Sequence, residues 1–141
     1  MKALLVALGL VALAGSALAQ GDVIAERRAA FKRVGEHMQA MKAIADSRGN
    51  PGPAVARVDD MLAWFQVLHE RFPAGSGTGD TKALPAIWSD NAGFRQAQAN
   101  AVTQLQALRA AAASGDPATF AAAYQQTGST CGNCHRPFRA R

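Results

Sequence analysis

Apolar residues recur three and four positions apart over four long segments of the chain, which is the spacing of one face of an α-helix. No segment alternates apolar and polar residues as a half-buried strand would. Because most connections between the segments are short, the pattern predicts an all-α domain folded as an antiparallel four-helix bundle. The first two predicted helices span about 22–47 and 53–71. The third begins between 85 and 90 and ends near 113, and the fourth begins at 117 and has an apolar stripe that extends to Phe138.

The residues at the helix ends support these boundaries. Asp22 and Asp116 are suitable N-caps, and Gly115 is suited to the left-handed conformation that ends many helices. Gly, Asn and Pro at 49–51 end the first helix. Residues 73–80 contain three glycines and no large apolar side chain, so they predict an irregular loop.

The N-terminus resembles a secretory signal peptide. Lys2 is followed by an apolar run and then by Ala17-Leu18-Ala19, an Ala-x-Ala cleavage motif. The run is shorter than the roughly 20 residues that span a membrane, although an uncleaved anchor helix remains the alternative. We therefore expect a signal peptide at 1–19 and a mature domain at 20–141. The mature protein would be periplasmic and would carry no membrane anchor after processing.

The number and distribution of charged residues disfavour a nucleic acid as the partner. The full sequence has 15 basic and 10 acidic residues, a net charge of +5. Loss of Lys2 with the signal peptide leaves 14 basic residues and a charge of +4. The basic residues are scattered, which disfavours nucleic-acid binding. A mildly positive surface favours either solubility or an acidic redox partner protein.

The sequence Cys131-Gly-Asn-Cys134-His135 near the C-terminus is typical of covalent haem attachment. Two thiols at positions i and i+3 lie on one side of a helix, so both can add to the vinyl groups of one porphyrin. His135 can then supply an axial nitrogen to the iron. The two cysteines continue the apolar stripe of the last predicted helix, which predicts a single haem c in the bundle core.

Three other sites use paired cysteines. A structural zinc site needs about four ligands, and His37 and His69 are distant in sequence. A thioredoxin-like pair follows a strand, and no strand pattern precedes this motif. A disulfide is the strongest alternative because the chain carries an export signal.

With the haem motif in its last helix, the chain resembles the cytochrome c′ family, the class II c-type cytochromes. The resemblance covers nearly all of the mature chain and implies a four-helix bundle, a homodimer and a buried iron with His135 as proximal ligand. It rests on Cys131 to His135 with Phe138-Arg139, on Arg27-x-x-x-Phe31-Lys32, on Phe72-Pro73-Ala74-Gly75 and on Ala86-Ile87-Trp88.

The resemblance places Phe31 opposite His135. The low-spin branch, which is similar to cytochrome c-556, carries a Met there that binds the iron. Phenylalanine cannot bind iron, so an open sixth position is expected, and an apolar pocket would accept the uncharged gases NO and CO. From periodicity alone, Phe31 would be an ordinary core residue.

Two arginines are further candidate site residues. Arg27 falls on the apolar stripe of the first helix and would need an anionic partner if buried. The resemblance suggests a haem propionate as that partner, and the alternative is a stripe edge where the guanidinium reaches water. The resemblance also places Arg139 near the proximal face, one turn after His135; surface exposure is the alternative.

These residues predict a non-enzymatic haem protein that binds NO or CO, carries electrons, or does both. The sequence contains no Ser–His–Asp set, carboxylate pair or phosphate loop, and nothing near Phe31 offers the acid or base of a peroxidase. A low-spin electron-transfer cytochrome with a Met sixth ligand is the main alternative, and a haem-free helical binding module is another. The rival sixth ligands are Met38, Met41, Met61, His37 and His69.

Overall fold

The computed structural model describes the backbone of residues 3–141 and the side chains of residues 21–141. The predicted signal peptide at 1–19 lies outside the described side chains. Within the described residues, no helix combines the length and apolarity needed to cross a membrane. The helices are α1 (Ala3–Ser47), α2 (Ala54–Gln66), a 3₁₀ turn (Leu68–Arg71), α3 (Ala86–Ser89), α4 (Asn91–Ser114) and α5 (Pro117–Phe138).

The four-helix bundle is confirmed, with differences at three boundaries. α1 begins at Ala3, upstream of the predicted start, because the preceding residues are mostly alanine and leucine, which favour helix. The second predicted helix is interrupted at Val67, where the chain changes to a 3₁₀ turn. The third is divided at Asp90, whose side chain accepts a hydrogen bond from the backbone N–H of Gly93.

The boundary between α4 and α5 follows the prediction closely. Gly115 ends α4 with a φ of 74°, a left-handed conformation that suits glycine. The Asp116 carboxylate then accepts hydrogen bonds from the backbone N–H groups of Ala118 and Thr119. The caps predicted at Gly115 and Asp116 are therefore present, and they fix the start of the helix that carries the haem motif. The predicted N-cap at Asp22 is wrong, because Asp22 lies inside α1.

The core lies around α4, which packs extensively against both α2 and α5. The Gln98 amide of α4 donates hydrogen bonds to the carbonyls of Phe65 and Gln66 at 2.8 and 3.0 Å. These carbonyls lie at the C-terminal end of α2, where the last carbonyls of a helix have no partner in the next turn. The largest side chains that are fully buried are Phe120, Met41, Met61, Leu68, Leu105, Leu108 and Val58.

Polar contacts set the register of α1 against its neighbours. Asp60 of α2 accepts hydrogen bonds from Arg33 Nε at 2.7 Å and from His37 Nε2 at 2.9 Å. Tyr124 of α5 donates its hydroxyl hydrogen to the carbonyl of Met38 at 3.0 Å. These contacts hold α1 against α2 on one side and against α5 on the other.

The Asp60 carboxylate gives a testable pH dependence. Hydrogen bonds from Arg33 and then His37 lower its pKa below the ordinary 3.8. Since the folded pKa is depressed, the stabilisation is present above pH 3.8 and is lost as the pH falls through the folded pKa. Because these side chains are partly exposed, we expect Asp60→Asn to lower the free energy of unfolding by about 0.5–1 kcal/mol at pH 7.

Urea unfolding of wild type and Asp60→Asn at pH 7 and at acid pH measures this effect. Asp46→Asn, which removes an exposed i,i+4 pair with Lys42, is the matched control. The difference between wild type and Asp60→Asn should disappear in acid, whereas an equal difference at both pH values would contradict the assignment.

Candidate haem-binding site

The haem motif lies in the last two turns of α5. Cys131 and Cys134 are half-buried free thiols, and His135 is exposed. Cys131 borders a small internal cavity between α2, α4 and α5. Cys134 borders a groove of about 550 Å³ between α4 and α5, a volume typical of small-molecule sites.

The exposure of His135 differs from the buried iron environment that the resemblance implies. An α-helix advances about 100° per residue, so His135 lies further around α5 than Cys134 and away from the packed face. The thiols therefore face cavities, while the imidazole borders solvent.

The ionisation of the motif argues against a thioredoxin-like pair. Burial raises the pKa of the Cys131 thiol, and burial together with Cys131 raises that of Cys134. A redox-active pair needs a lowered thiol pKa instead. Partial burial, and then the positive charge of Arg139, lower the pKa of His135 and favour the neutral imidazole that binds metals.

These residues fit a c-type haem. Cys131 and Cys134 lie three residues apart on one helix and border cavities. The neutral imidazole of His135 follows directly in the sequence. Two thiols for the vinyl groups and one nitrogen for the iron are the donor set that this cofactor needs.

Phe31 lies at the same level of the bundle as Cys131. The Tyr124–Met38 hydrogen bond joins α5 to α1. Arg27, nearer the start of α1, bonds to Thr81, and the segment that follows Thr81 pairs with the C-terminal end of α5. The earlier part of α1 therefore lies beside the end of α5, and the two helices are antiparallel. Phe31 precedes Met38 by seven residues, and Cys131 follows Tyr124 by seven residues. Each therefore lies about 10 Å from the Tyr124–Met38 bond in the same direction along the bundle.

Phe31 is not an ordinary core residue. Phe31 is 37% exposed, and no other large apolar residue among the described residues is as exposed. It packs edge-to-face against Trp64 of α2, with ring centroids 5.7 Å apart and planes at 86°. An exposed aromatic ring at the level of Cys131 offers a surface that a bound planar apolar group would cover.

Arg27 is buried, as its position on the apolar stripe indicates, with 2% exposure. Nη1 donates to the carbonyl of Arg71 and to Ser76 Oγ, and Nη2 donates to the carbonyl of Ser76 and to Thr81 Oγ1, at 2.7–3.2 Å. The guanidinium also lies 4.3 Å from the centre of the Phe72 ring. All four partners are neutral oxygens, so Arg27 holds the glycine-rich loop against α1. Burial lowers the pKa of its guanidinium, which still stays charged.

Arg139 follows α5 and is exposed. Its backbone N–H donates to the carbonyl of His135 at 3.0 Å. The backbone of Arg139 also pairs with that of Ala83 in an isolated antiparallel β-bridge. The C-terminal end of α5 is therefore fixed to the segment that follows the glycine-rich loop. The positive charge of Arg139 lies close enough to affect His135.

The methionines and histidines that could serve as a sixth iron ligand lie in different parts of the bundle. Met38 lies at the level of Tyr124, about 10 Å from the level of Phe31. His37 bonds to Asp60, and His69 Nδ1 lies 3.1 Å from Gln98 Oε1. Of the three candidate methionines, Met61 is the one that borders the cavity beside Cys131.

Sequence reasoning missed three residues at this end of the bundle. Ser76 and Thr81 bind Arg27 from the loop, and Trp64 packs against Phe31. The burial of Arg27 on an apolar stripe was a signal that polar partners must exist. No local pattern identifies which loop oxygens these are.

Comparison with known proteins agrees with the fold and the motif. A sequence model described as Cytochrome C' matches residues 22–139. The cytochrome c' of Rhodopseudomonas palustris is 39% identical over 142 residues, which cover 94% of this chain and 92% of that protein.

Solved structures show the same fold. The cytochrome c' of Rubrivivax gelatinosus has a TM-score of 0.78 and 31% identity, with 86% of this chain and 97% of that chain covered. A nitric oxide complex of a mutant cytochrome c prime from Alcaligenes xylosoxidans has a TM-score of 0.78 and 27% identity, with 86% and 97% covered. With the haem motif at the end of α5, these matches show that the chain belongs to the cytochrome c′ family of c-type haem proteins.

Proposed function

We propose that this protein is exported to the periplasm, loses residues 1–19, and carries one haem c attached through Cys131 and Cys134. His135 is the sole axial ligand of the iron, and the protein binds NO or CO on the opposite face. The observation that carries this proposal is the exposed ring of Phe31 at the level of Cys131, because phenylalanine contributes no atom that binds iron.

When bound, the haem supplies an iron that takes one diatomic ligand and changes between two oxidation states. The chain's own residues determine access to it. The neutral imidazole of His135 supplies one nitrogen, and Phe31 gives the distal side an apolar wall. Arg27 holds the loop at this end of the bundle, and Arg139 keeps positive charge beside His135.

The absorption spectrum of the periplasmically matured protein tests this function. We expect a covalently bound haem with a high-spin spectrum in the ferric and ferrous states, and a clear shift when CO or NO is added to the ferrous protein. A low-spin ferrous spectrum that CO does not change would contradict the proposal.

A second candidate is a low-spin electron-transfer cytochrome. The position of Met61 beside the Cys131 cavity favours this reading, because a thioether ligand raises the potential of a c-type haem. Met61→Leu distinguishes the two functions. The spectrum of the variant stays unchanged if the site is open and loses its low-spin character if Met61 is the ligand.

The family resemblance also supports a homodimer, packed through the first two helices, and a periplasmic redox partner protein. Light scattering of the haem-loaded protein measures the first of these. A mass of two chains supports the dimer, and a mass of one chain at micromolar concentration would contradict it.

A further inference from the structure

The net positive charge of the predicted mature chain lies in its last two helices. Residues 20–90 contain nine basic and nine acidic side chains, so that part of the chain is neutral overall. Residues 91–141 contain five basic side chains and one acidic side chain, Asp116. Asp116 caps the start of α5, and His135 lies nineteen residues further along that helix, about 30 Å away. The end of α5 that carries the haem motif therefore has no acidic residue of its own helix beside it.

Five exposed cations surround this end of α5. Arg136 and Arg139 are three residues apart, so they lie on one side of the helix end. The carbonyl of Lys82 accepts a hydrogen bond from the backbone N–H of Ala140 at 2.8 Å, which places Lys82 beside the same end. Arg95 lies in the second turn of α4, next to an aromatic residue that packs against the last residue of α5. We call these residues the C-terminal basic surface: Lys82, Arg95, Arg136, Arg139 and Arg141.

The cations of the C-terminal basic surface are not neutralised by acidic neighbours. Among residues 21–141, none of the five takes part in an ion pair. By contrast, Arg28, Arg33 and Arg109 each pair with an aspartate. Asp90, which borders a groove together with Phe138, adds one negative charge at this end. Unpaired charges of one sign create a local potential that attracts the opposite charge.

The composition of this surface favours a protein partner over a membrane. The cations come from three separate segments of the chain, so they match an extended acidic surface rather than one small anion. Surfaces that bind a membrane usually add large apolar side chains that enter the bilayer. Among the described residues, the exposed large apolar residue is Phe31, which belongs to α1, whereas Phe138 between the cations is buried.

We propose that the C-terminal basic surface is the docking site for an acidic electron-carrier protein. This inference rests on the part of the proposed function that attaches one haem c through Cys131 and Cys134. The surface surrounds the haem motif, and the charge of Arg139 already acts on His135. The exchange that docking serves is one electron, which the carrier loses and the haem-loaded chain gains, with no bond formed or broken.

Carbodiimide cross-linking tests the docking site directly, because this reagent joins a carboxylate of one protein to a lysine amine of the other with loss of water. The predicted mature chain has three lysines, of which Lys82 is in the basic surface, whereas Lys32 and Lys42 lie on α1. The probe is oxidised flavodoxin, an acidic one-electron carrier, mixed with the haem-loaded protein at low ionic strength. We expect mass spectrometry to find the cross-link at Lys82, and we expect its yield to fall as salt is added.

Charge reversal supplies the matched comparison. Arg136→Glu combined with Arg141→Glu reverses two charges of the surface, and Lys42→Glu combined with Arg48→Glu makes the same change at the far end of α1. The first pair should lower the rate of reduction by flavodoxin hydroquinone about 10-fold at low ionic strength, together with the cross-link at Lys82. The second pair should change the rate less than about 2-fold. Equal slowing by both pairs, or cross-links at Lys32 and Lys42 instead of Lys82, would overturn the inference.

A neutral reductant, photochemically generated deazaflavin semiquinone, separates docking from a change in the haem itself. Its rate should be the same in wild type and both double variants, and slowing in the Arg136 and Arg141 variant would overturn the inference. So would binding to anionic phospholipid vesicles that this variant abolishes while the flavodoxin rate stays unchanged, which would assign the surface to a membrane. Failure to bind CO contradicts the gas-binding function alone, since the cross-link does not depend on an open sixth position. A protein matured without covalent haem would overturn both.

Discussion

Replacing Phe31 with methionine is expected to convert the protein from gas binding towards a six-coordinate, low-spin form. Phe31 lies at the level of Cys131 with its ring exposed. On the proposal that it lies opposite His135, a thioether at this position would reach the iron. A gas must then displace the thioether. An internal ligand favoured by about 3 kcal/mol lowers the apparent affinity for CO about 100-fold.

A CO titration of the ferrous protein, followed by absorption, measures this change. Phe31→Leu is the matched control, because it keeps an apolar side chain without a ligand atom and should stay high-spin and bind CO. If Phe31→Met remained high-spin with unchanged CO affinity, Phe31 would not be the residue opposite His135.

Replacing Arg27 with methionine is expected to be the most destabilising substitution at this end of the bundle. The change removes four hydrogen bonds from a side chain that is 2% exposed and leaves loop oxygens without donors. Each buried group left unpaired costs about 1–3 kcal/mol, so a loss of about 3–5 kcal/mol in the free energy of unfolding is expected. Arg27→Lys should recover only part of this, because an ammonium group lacks the planar fork of the guanidinium.

Guanidinium unfolding of the haem-loaded protein, followed by far-ultraviolet circular dichroism, gives the free energies. Arg28→Met is the control, since Arg28 is exposed and pairs only with the exposed Asp80. It should cost at most about 0.5 kcal/mol. Limited proteolysis at 73–80 should accelerate in Arg27→Met alone. Equal stability of the two methionine variants would show that Arg27 does not hold the loop.

The parts of the fold that follow from local chemistry could be predicted from the sequence. The end of α4 and the start of α5 depend on a glycine that adopts positive φ and on an aspartate that caps its own helix. The break at Val67 could not be predicted, since the apolar spacing continues through it. It occurs where Gln98, more than thirty residues away, binds the last carbonyls of α2.

The residues of the candidate site also differ in whether the sequence alone could identify them. The haem motif is contiguous, so its residues could be recognised without a structure. The partners of Arg27 lie 49 and 54 residues away in an irregular loop, and the contact of Phe31 with Trp64 depends on the register of α1 against α2. Such contacts arise from the packing of the whole bundle and leave no local pattern.

The central claim is an iron held by His135 alone, with an open position on the side of Phe31. Resonance Raman spectroscopy of the ferrous, gas-free, haem-loaded protein tests it most directly, because the iron–histidine stretching band is strong only in five-coordinate haem. We predict high-spin marker bands together with this iron–histidine band. Low-spin six-coordinate marker bands without the iron–histidine band would contradict the account and would make Met61 the first candidate for the sixth ligand.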